Sequence, residues 1–296
     1  MSCFSNCLLC PRGCGADRRH HPGFCGAPAT LRAARAGLHF WEEPCISGTR
    51  GSGAVFFSGC NLKCRFCQNY ELSHHCAGKP LSVHRLADIF LELQQQGAHN
   101  INLVTPTIYT PLIRRALLQC KNRLHIPVVY NCGGYESSQA LRDLQGLIDI
   151  FMPDIKFFNP MLSAKYCSAP DYFECCTDAI DTMLQLTGPP VMDNDGLLKS
   201  GVLIRHLVMP GCYRDSLQIL DWLDTQYPSH PFLLSLMRQY VPCGDLRDYP
   251  ELNRRVTSYE YERVTDRAAD LGFTGYTQER TAADTDFIPV FDGSGI

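Results

Sequence analysis

Continuous apolar runs rich in β-branched residues recur along the chain after residue 50. Six of them predict buried strands, at residues 54–59, 101–106, 126–131, 148–153, 202–210 and 232–237. Each run is uninterrupted rather than alternating, which is typical of parallel strands that are covered on both faces. The pattern therefore favours a parallel sheet over an antiparallel one.

Helical patterns separate these runs. In residues 82–97, Ser82 is a candidate N-cap, apolar residues repeat at helical spacing, and Gly97 is a stop signal. Similar patterns predict helices at residues 110–123, 137–147, 161–186, 216–226 and 257–271. Six strand–helix units predict an α/β fold, and because a closed barrel needs eight, we expect a partial (β/α)6 TIM-like barrel.

Two parts of the chain are expected from this pattern. Residues 1–50 are predicted to form a Cys-rich metal-binding knuckle with an irregular lead-in, and residues 51–296 to form the partial barrel with a C-terminal tail. Further irregular stretches are predicted at 187–201 and 239–256. Ligands of such sheets bind at the carboxyl ends of the strands, so we expect the functional site there.

Composition narrows the class of protein. The net charge of −3 is spread without a basic stripe, and no apolar run reaches the length of a membrane span, so we expect neither nucleic-acid nor membrane binding. The first 25 residues hold five cysteines and no apolar core, unlike a secretion signal, and we expect a cytoplasmic protein. In a reducing compartment, an odd total of 17 clustered cysteines indicates metal or iron–sulfur ligation rather than disulfides.

One cysteine triplet directly follows the first predicted strand, with the spacing Cys60-x3-Cys64-x2-Cys67. Three thiolates on one short loop can hold three irons of a cubane cluster and leave the fourth iron open. The alternative is a zinc site with Cys76 or His74 as the fourth ligand. A position at the end of the first strand favours the cluster, because a structural zinc site has no need to lie at the functional edge of the sheet.

A second group lies in the N-terminal segment and comprises Cys7, Cys10, Cys14 and Cys25. Four thiolates from two short loops are a common arrangement for tetrahedral zinc or a single iron. A second iron–sulfur cluster that relays electrons to the first is the alternative. The spacing favours a closed, structural metal site.

The triplet, with Phe66 before its last cysteine, resembles the signature of the radical S-adenosylmethionine (SAM) superfamily. Its surroundings at residues 49–69 resemble the branch of activases that serve glycyl radical enzymes. Over nearly its whole length the chain resembles the pyruvate formate-lyase-activating-enzyme-like proteins, through residues 7–18, 38–44, 100–106, 205–211 and 249–255.

This resemblance implies an oxidoreductase with a [4Fe–4S] cluster on Cys60, Cys64 and Cys67 and SAM on the open iron. It also implies that an electron cleaves SAM and that the resulting 5′-deoxyadenosyl radical removes hydrogen from a glycine of a partner protein. Flavodoxin or ferredoxin would supply the electron. The alternatives are a radical enzyme that acts on a small molecule or peptide, and a non-catalytic metal-binding adaptor.

The resemblance further assigns cofactor-binding roles to six residues near three strand ends: Asn131, Gly133, Gly134, Asp154, Lys156 and Arg205. Activases usually have Asp where Asn131 stands. Gly133 and Gly134 also fit a plain turn. Lys156 and Arg205 also fit a buried ion network around Asp154.

Overall fold

The computed structural model describes residues 2–244, 246–279 and 289–296. Within these residues the centre of the fold is a ten-stranded sheet. Its strands are β1 (Arg32–His39), β2 (Ser52–Phe57), β3 (Lys79–Pro80), β4 (Ile101–Val104), β5 (Val128–Cys132), β6 (Ile150–Pro153), β7 (Val191–Met192), β8 (Leu198–Leu207), β9 (Leu233–Met237) and β10 (Gly275–Thr277). The spatial order is β10-β9-β8-β6-β5-β4-β2-β1-β3, and β7 pairs with β8.

Nine α-helices lie in the described part of the chain. They are α1 (Pro44–Ser47), α2 (Tyr70–His75), α3 (Val83–Gln95), α4 (Thr110–Cys120), α5 (Ser138–Arg142), α6 (Pro160–Cys167), α7 (Tyr172–Thr187), α8 (Tyr213–Gln226) and α9 (Ser258–Asp270). Ser82 caps α3 as predicted, because its side chain accepts a hydrogen bond from the Arg85 N–H. No helix of the described residues is both long enough and apolar enough to cross a bilayer.

The mostly parallel α/β sheet predicted from the sequence is confirmed. All six predicted strands are present, as β2, β4, β5, β6, β8 and β9, and neighbours in this series pair in parallel. Helices follow the strands along the chain, which gives the partial TIM-like barrel. The sheet is open, because its order ends at β10 on one side and at β3 on the other.

The sheet also contains strands that the sequence pattern did not predict. Strand β1 lies within the stretch expected to be irregular and pairs antiparallel with β2, with Ala36 opposite Val55. Its sequence, RAARAGLH, contains no β-branched residue, so local propensity gave no signal and pairing with β2 decides its conformation. The sheet therefore has residues on both sides of the boundary expected at residue 50.

Strand β10 is too short for a periodic signal, and it extends the parallel sheet beyond β9. Gly275 allows this pairing because a Cβ atom there would lie 1.8 Å from the Leu234 carbonyl oxygen. Residues 280–288 of the predicted tail lie outside the described residues.

The single helix predicted at 161–186 is divided into α6 and α7. Ser168 ends α6 in a left-handed conformation with φ 56°, and Pro170 lies two residues later, after Ala169. A proline disfavours helical geometry in the residue before it, which explains why the apolar periodicity continues across a break in the backbone.

Candidate active site

Alternating residues of the parallel strands point to the inside of the barrel. Near the amino ends these positions are apolar, and they form one buried cluster with Cys45 and Ile46 of α1, which closes this part of the interior. Toward the carboxyl ends the same rows continue as polar residues, including Asn131 on β5, Arg205 on β8 and Ser235 on β9. The period of two thus places apolar residues on the floor and polar residues above them.

These polar residues surround a cavity at the carboxyl ends of the strands. The space open to the centre of a water molecule is about 230 Å³. Its lining contains eight of the residues that the sequence predicted for a cluster or cofactor: Cys60, Cys64, Cys67, Asn131, Gly133, Asp154, Lys156 and Arg205. Gly134 lies behind the cavity wall, where a Cβ atom would be 2.2 Å from the Asp154 carbonyl oxygen.

The cysteine triplet lies on the loop between β2 and α2. Its backbone is held from outside, since the Cys60 N–H donates to the Cys25 carbonyl at 3.3 Å and the Arg65 N–H to the Tyr166 carbonyl at 2.9 Å. Burial and the neighbouring thiols raise the pKa of Cys60 to about 12, and burial followed by the charge of Cys64 raises the pKa of Cys67 to about 11. The three thiols line the same cavity, and a cationic iron core there would favour the thiolate forms that ligation requires over the protonated forms that burial favours.

Two alternative zinc ligands lie elsewhere. His74 lies on α2, where its ring stacks on Tyr70 at 3.9 Å, and Cys76 follows the helix in a left-handed conformation. Neither residue lines the cavity. Within the described residues, no three His, Cys, Asp or Glu side chains are arranged to hold a single metal ion.

A charged network spans the cavity wall opposite the cysteine loop. The Asp154 carboxylate accepts hydrogen bonds from Lys156 Nζ at 2.7 Å and from Arg205 Nε at 3.0 Å. Arg205 also donates to Asn131 Oδ1 at 2.7 Å. Burial acts to raise the pKa of Asp154, but the charges of Arg205 and Lys156 outweigh it and lower that pKa. Asp154 therefore remains ionised and holds both cations in place.

Glu42 is a member of this network to which sequence analysis assigned no role. Its carboxylate accepts from Arg205 at 3.1 Å, from Asn131 at 3.2 Å and from Asn102 at 2.9 Å. Glu42 reaches the cavity because β1 carries the chain to the barrel interior before α1 begins. Two acidic residues ahead of Pro44 are an ordinary helix start in sequence, so the missed signal was the unrecognised strand before them.

The N-terminal cysteine group lies against the cysteine triplet. Gly23 lies close to the sulfur atoms of two members, Cys14 and Cys25: a Cβ atom at Gly23 would lie 3.0 Å from Cys14 Sγ and 3.9 Å from Cys25 Sγ. Arg12 links the segment to the triplet loop by donating to the Asn61 carbonyl at 2.8 Å, and it also donates to the Ser168 carbonyl. The two cysteine groups are thus joined by side-chain hydrogen bonds of Arg12 and by the backbone hydrogen bond from Cys60 to Cys25.

Comparison with known proteins identifies the family of this architecture. The family model of the radical SAM superfamily matches residues 54–222, more than half of the chain. The chain is also 29% identical over 280 residues to the uncharacterized protein MJ0674 of Methanocaldococcus jannaschii, a match that covers 90% of this chain and 75% of that protein.

Two solved structures are similar to parts of this chain. One is HydG, a maturase of the [FeFe]-hydrogenase, with a TM-score of 0.50, 12% identity, and coverage of 73% of this chain and 48% of that one. The other is Streptococcus suis SuiB bound to S-adenosylmethionine, with a TM-score of 0.47, 16% identity, and coverage of 74% and 48%. The chain spans about half the length of each of these structures.

Proposed function

Because the chain belongs to the radical S-adenosylmethionine superfamily, we propose that it is an enzyme that cleaves SAM reductively and uses the resulting radical to abstract hydrogen. One observation carries the proposal: the three cysteines of the C-x3-C-x2-C loop line the same cavity as the buried ion network of Asp154, Lys156 and Arg205. A cluster and a charged organic cofactor would be neighbours there.

Cys60, Cys64 and Cys67 would hold the [4Fe–4S] cluster, which would supply the electron for reductive cleavage of SAM to methionine and a 5′-deoxyadenosyl radical. Lys156 and Arg205 are the cations of the lining that would face the methionyl carboxylate. Asp154 fixes both cations before SAM arrives, so little ordering remains for the binding step. Gly133 leaves the cavity open beside them, since it has no side chain.

Apolar side chains form part of the cavity wall. Leu62, Phe66, Leu207 and Met237 all line the space. A carbon radical needs such protection because it removes hydrogen from any group that reaches it. The protein's task is therefore to position and enclose the reactants rather than to supply an acid or base.

The cluster site is tested by electron paramagnetic resonance on anoxic protein that has been reconstituted with iron and sulfide and reduced with dithionite. Added SAM is expected to change the signal of the reduced cluster in the native protein and to leave Cys64→Ala without that response. Cys167→Ala is the matched control, because its sulfur lies 3.3 Å from that of Cys64 but outside the triplet, and it is expected to respond like native protein. A colourless, zinc-containing triplet would instead favour the adaptor.

For the hydrogen donor, we propose first a glycine of a partner protein, on the basis of the activase-like sequence, with flavodoxin or ferredoxin as electron donor. The cavity opens at the strand ends, where a loop of another protein can enter. Incubation with a candidate glycyl radical enzyme, SAM and reductant is expected to give a glycyl signal in the resonance spectrum. Absence of that signal while SAM is consumed would argue against this target.

A second candidate target is a small molecule or peptide, and a second cavity favours it. This space of about 190 Å³ is lined in part by the same residues as the first, including Glu42, Arg205 and Met237. It continues the site past Arg205 toward β9 and β10. A space of this size inside the barrel suits a compact substrate.

The N-terminal cysteines are proposed to hold a structural zinc or iron; because no three of them are arranged around a common point in the described residues, the metal would draw their side chains together on binding. Their hydrogen-bonded contact with the triplet loop supports a role in shaping that loop, and it equally suits a second cluster that relays electrons. Cys10→Ala should remove this metal and retain the SAM-dependent signal if the metal is structural. We further propose a cytoplasmic protein in which residues 1–50 form the knuckle and lead-in and residues 51–296 the barrel and tail, on the cysteine pattern already described.

A further inference from the structure

The wall of the second cavity contains two polar side-chain atoms that have no role in the proposed SAM site. It lies between α1 and the strands β8, β9 and β10, and its wall includes Glu43, Ser235 and Tyr276. Glu43 is 8% exposed and Ser235 is 1% exposed. Both side chains are therefore buried in protein and face the interior of the barrel.

Neither group is satisfied by the described residues. Glu43 Oε2 and Ser235 Oγ are buried and have no hydrogen-bond partner there. Burial raises the pKa of Glu43, and the charge of Arg205 and the nearby Ser235 hydroxyl offset this only in part; the Ser235 and Glu43 side chains do not lie in hydrogen-bonding geometry. A buried carboxylate oxygen without a donor is costly, so its presence at a cavity indicates a ligand that donates to it.

The charges around the two cavities point to the nature of that ligand. Apart from the cysteine thiols and the Tyr276 phenol, the ionisable groups of the lining among the described residues are three carboxyl groups (Glu42, Glu43 and Asp154), two cations (Lys156 and Arg205) and one histidine, His39. Burial lowers the pKa of His39, which keeps it neutral. One negative charge is left over when Glu43 is ionised.

The proposed cofactors do not remove this excess. An oxidised [4Fe–4S]2+ cluster with its three thiolates would carry one net negative charge and SAM one net positive charge, so their charges would cancel before reduction. Arg205 is already shared between Glu42 and Asp154. Since burial raises the pKa of Glu43, this side chain would ionise only beside a cation from a further molecule.

We propose that the second cavity is a substrate subsite for the protonated primary amine of a small molecule, with the Glu43 carboxylate and the Ser235 hydroxyl oxygen as acceptors. The assignment of this ligand as substrate rests on the proposed radical chemistry, because the subsite adjoins the cavity of the cysteine triplet. An ammonium group supplies both the missing donors and the missing charge. A carboxylate ligand would add to the negative excess, and a neutral amide would leave it unbalanced.

The probe is n-butylammonium, with butyramide and butyrate as neutral and anionic analogues of similar length. Binding is measured by saturation-transfer magnetic resonance on anoxic, cluster-reconstituted protein with SAM present and no reductant, so that no turnover occurs. We expect n-butylammonium to bind the native protein about tenfold more tightly than either analogue, which is the usual effect of a charged hydrogen bond.

Variants locate the binding site. Glu43→Gln keeps the shape of the side chain and is expected to weaken n-butylammonium about tenfold, and Ser235→Ala to weaken it about threefold. Glu92→Gln removes one negative charge from the exposed face of α3 and is expected to bind like native protein. Equal affinity for the three probes, no binding of the amine, or native affinity in Glu43→Gln would overturn the proposal.

The binding assay needs no electron and no cleavage of SAM, so it separates the two proposals. Glu43-dependent amine binding in a protein that never cleaves SAM would contradict the proposed function and retain an amine site. If the protein cleaves SAM but Glu43→Gln binds the amine as tightly as native protein does, only the proposed subsite is contradicted. If Glu43→Gln fails to fold, the comparison of the three probes on native protein and on Ser235→Ala still decides.

Discussion

Replacement of Gly134 by alanine is expected to lower the stability of the protein, because two destabilising effects coincide at this position. Gly134 has φ +80°, a left-handed conformation that costs an alanine about 1–2 kcal/mol. Its Cβ atom would also lie 2.2 Å from the Asp154 carbonyl oxygen and 2.7 Å from Cys176 Sγ. The first of these neighbours is backbone and cannot move aside independently, so overpacking adds about 1–3 kcal/mol.

A smaller opposing contribution comes from the unfolded chain, which loses freedom when glycine becomes alanine and so favours folding by about 0.4–1 kcal/mol. The net loss expected for Gly134→Ala is about 1–5 kcal/mol in the free energy of unfolding. Urea denaturation of the cluster-free protein under anoxia, followed by circular dichroism, measures it.

Gly133→Ala is the matched control. Its Cβ atom would meet Leu62 Cδ1 at 2.9 Å, the movable end of a flexible side chain, and its φ lies outside the left-handed region. We expect a loss below about 1 kcal/mol, with weaker SAM binding because the new methyl group enters the cavity. If Gly133→Ala were the less stable variant, or if Gly134→Ala matched native protein, the reasoning from close backbone approach would be refuted.

Three further predictions concern buried charge and capping. Asp154→Asn removes the buried carboxylate that pairs with Lys156 and Arg205. Urea denaturation should therefore show a loss of about 3 kcal/mol in the free energy of unfolding, and calorimetry should show weaker SAM binding. Native values in both measurements would contradict the proposed ion network. Burial raises the pKa of Glu136 to about 7, so this carboxyl stabilises the fold at low pH and its contribution is lost as the pH rises toward 7. The Glu136→Gln variant should therefore become more stable than native protein above pH 7, by up to about 3 kcal/mol. Urea denaturation at pH 5 and pH 8 tests this, and an equal stability difference between variant and native protein at both pH values would exclude it. Ser82→Ala removes the cap of α3 and should cost about 1 kcal/mol by the same assay, whereas no change would mean that the cap contributes nothing.

The parallel strands were predictable because each one is buried on both faces, which leaves an uninterrupted apolar run in the sequence. Strand β1 lacked that signal, since Ala34 and Ala36 are small and Arg35 interrupts them, and only pairing with β2 makes it a strand. The missed strand also hid Glu42 and Glu43, whose place inside the barrel depends on where β1 ends. Local pattern thus predicted the elements, while long-range pairing set the contents of the site.

The candidate site, like the fold, was predictable from the sequence only in part. The spacing of the cysteine triplet and its place after a strand were enough to predict a cavity-lining loop at the carboxyl ends. The roles of the two neighbouring glycines were not separable in sequence. Only the positive φ of Gly134 and its approach to Asp154 show that one forms the turn while Gly133 lines the cavity.

The most direct test of the account is the formation of products from SAM. Native protein, reconstituted with iron and sulfide and reduced under strict anoxia, is incubated with SAM, and 5′-deoxyadenosine and methionine are quantified by mass spectrometry. The account predicts both products in equal amounts from the native protein and from Cys167→Ala, and neither from Cys64→Ala. A reduced, cluster-containing native protein that forms no 5′-deoxyadenosine, or a Cys64→Ala variant that forms as much, would contradict it.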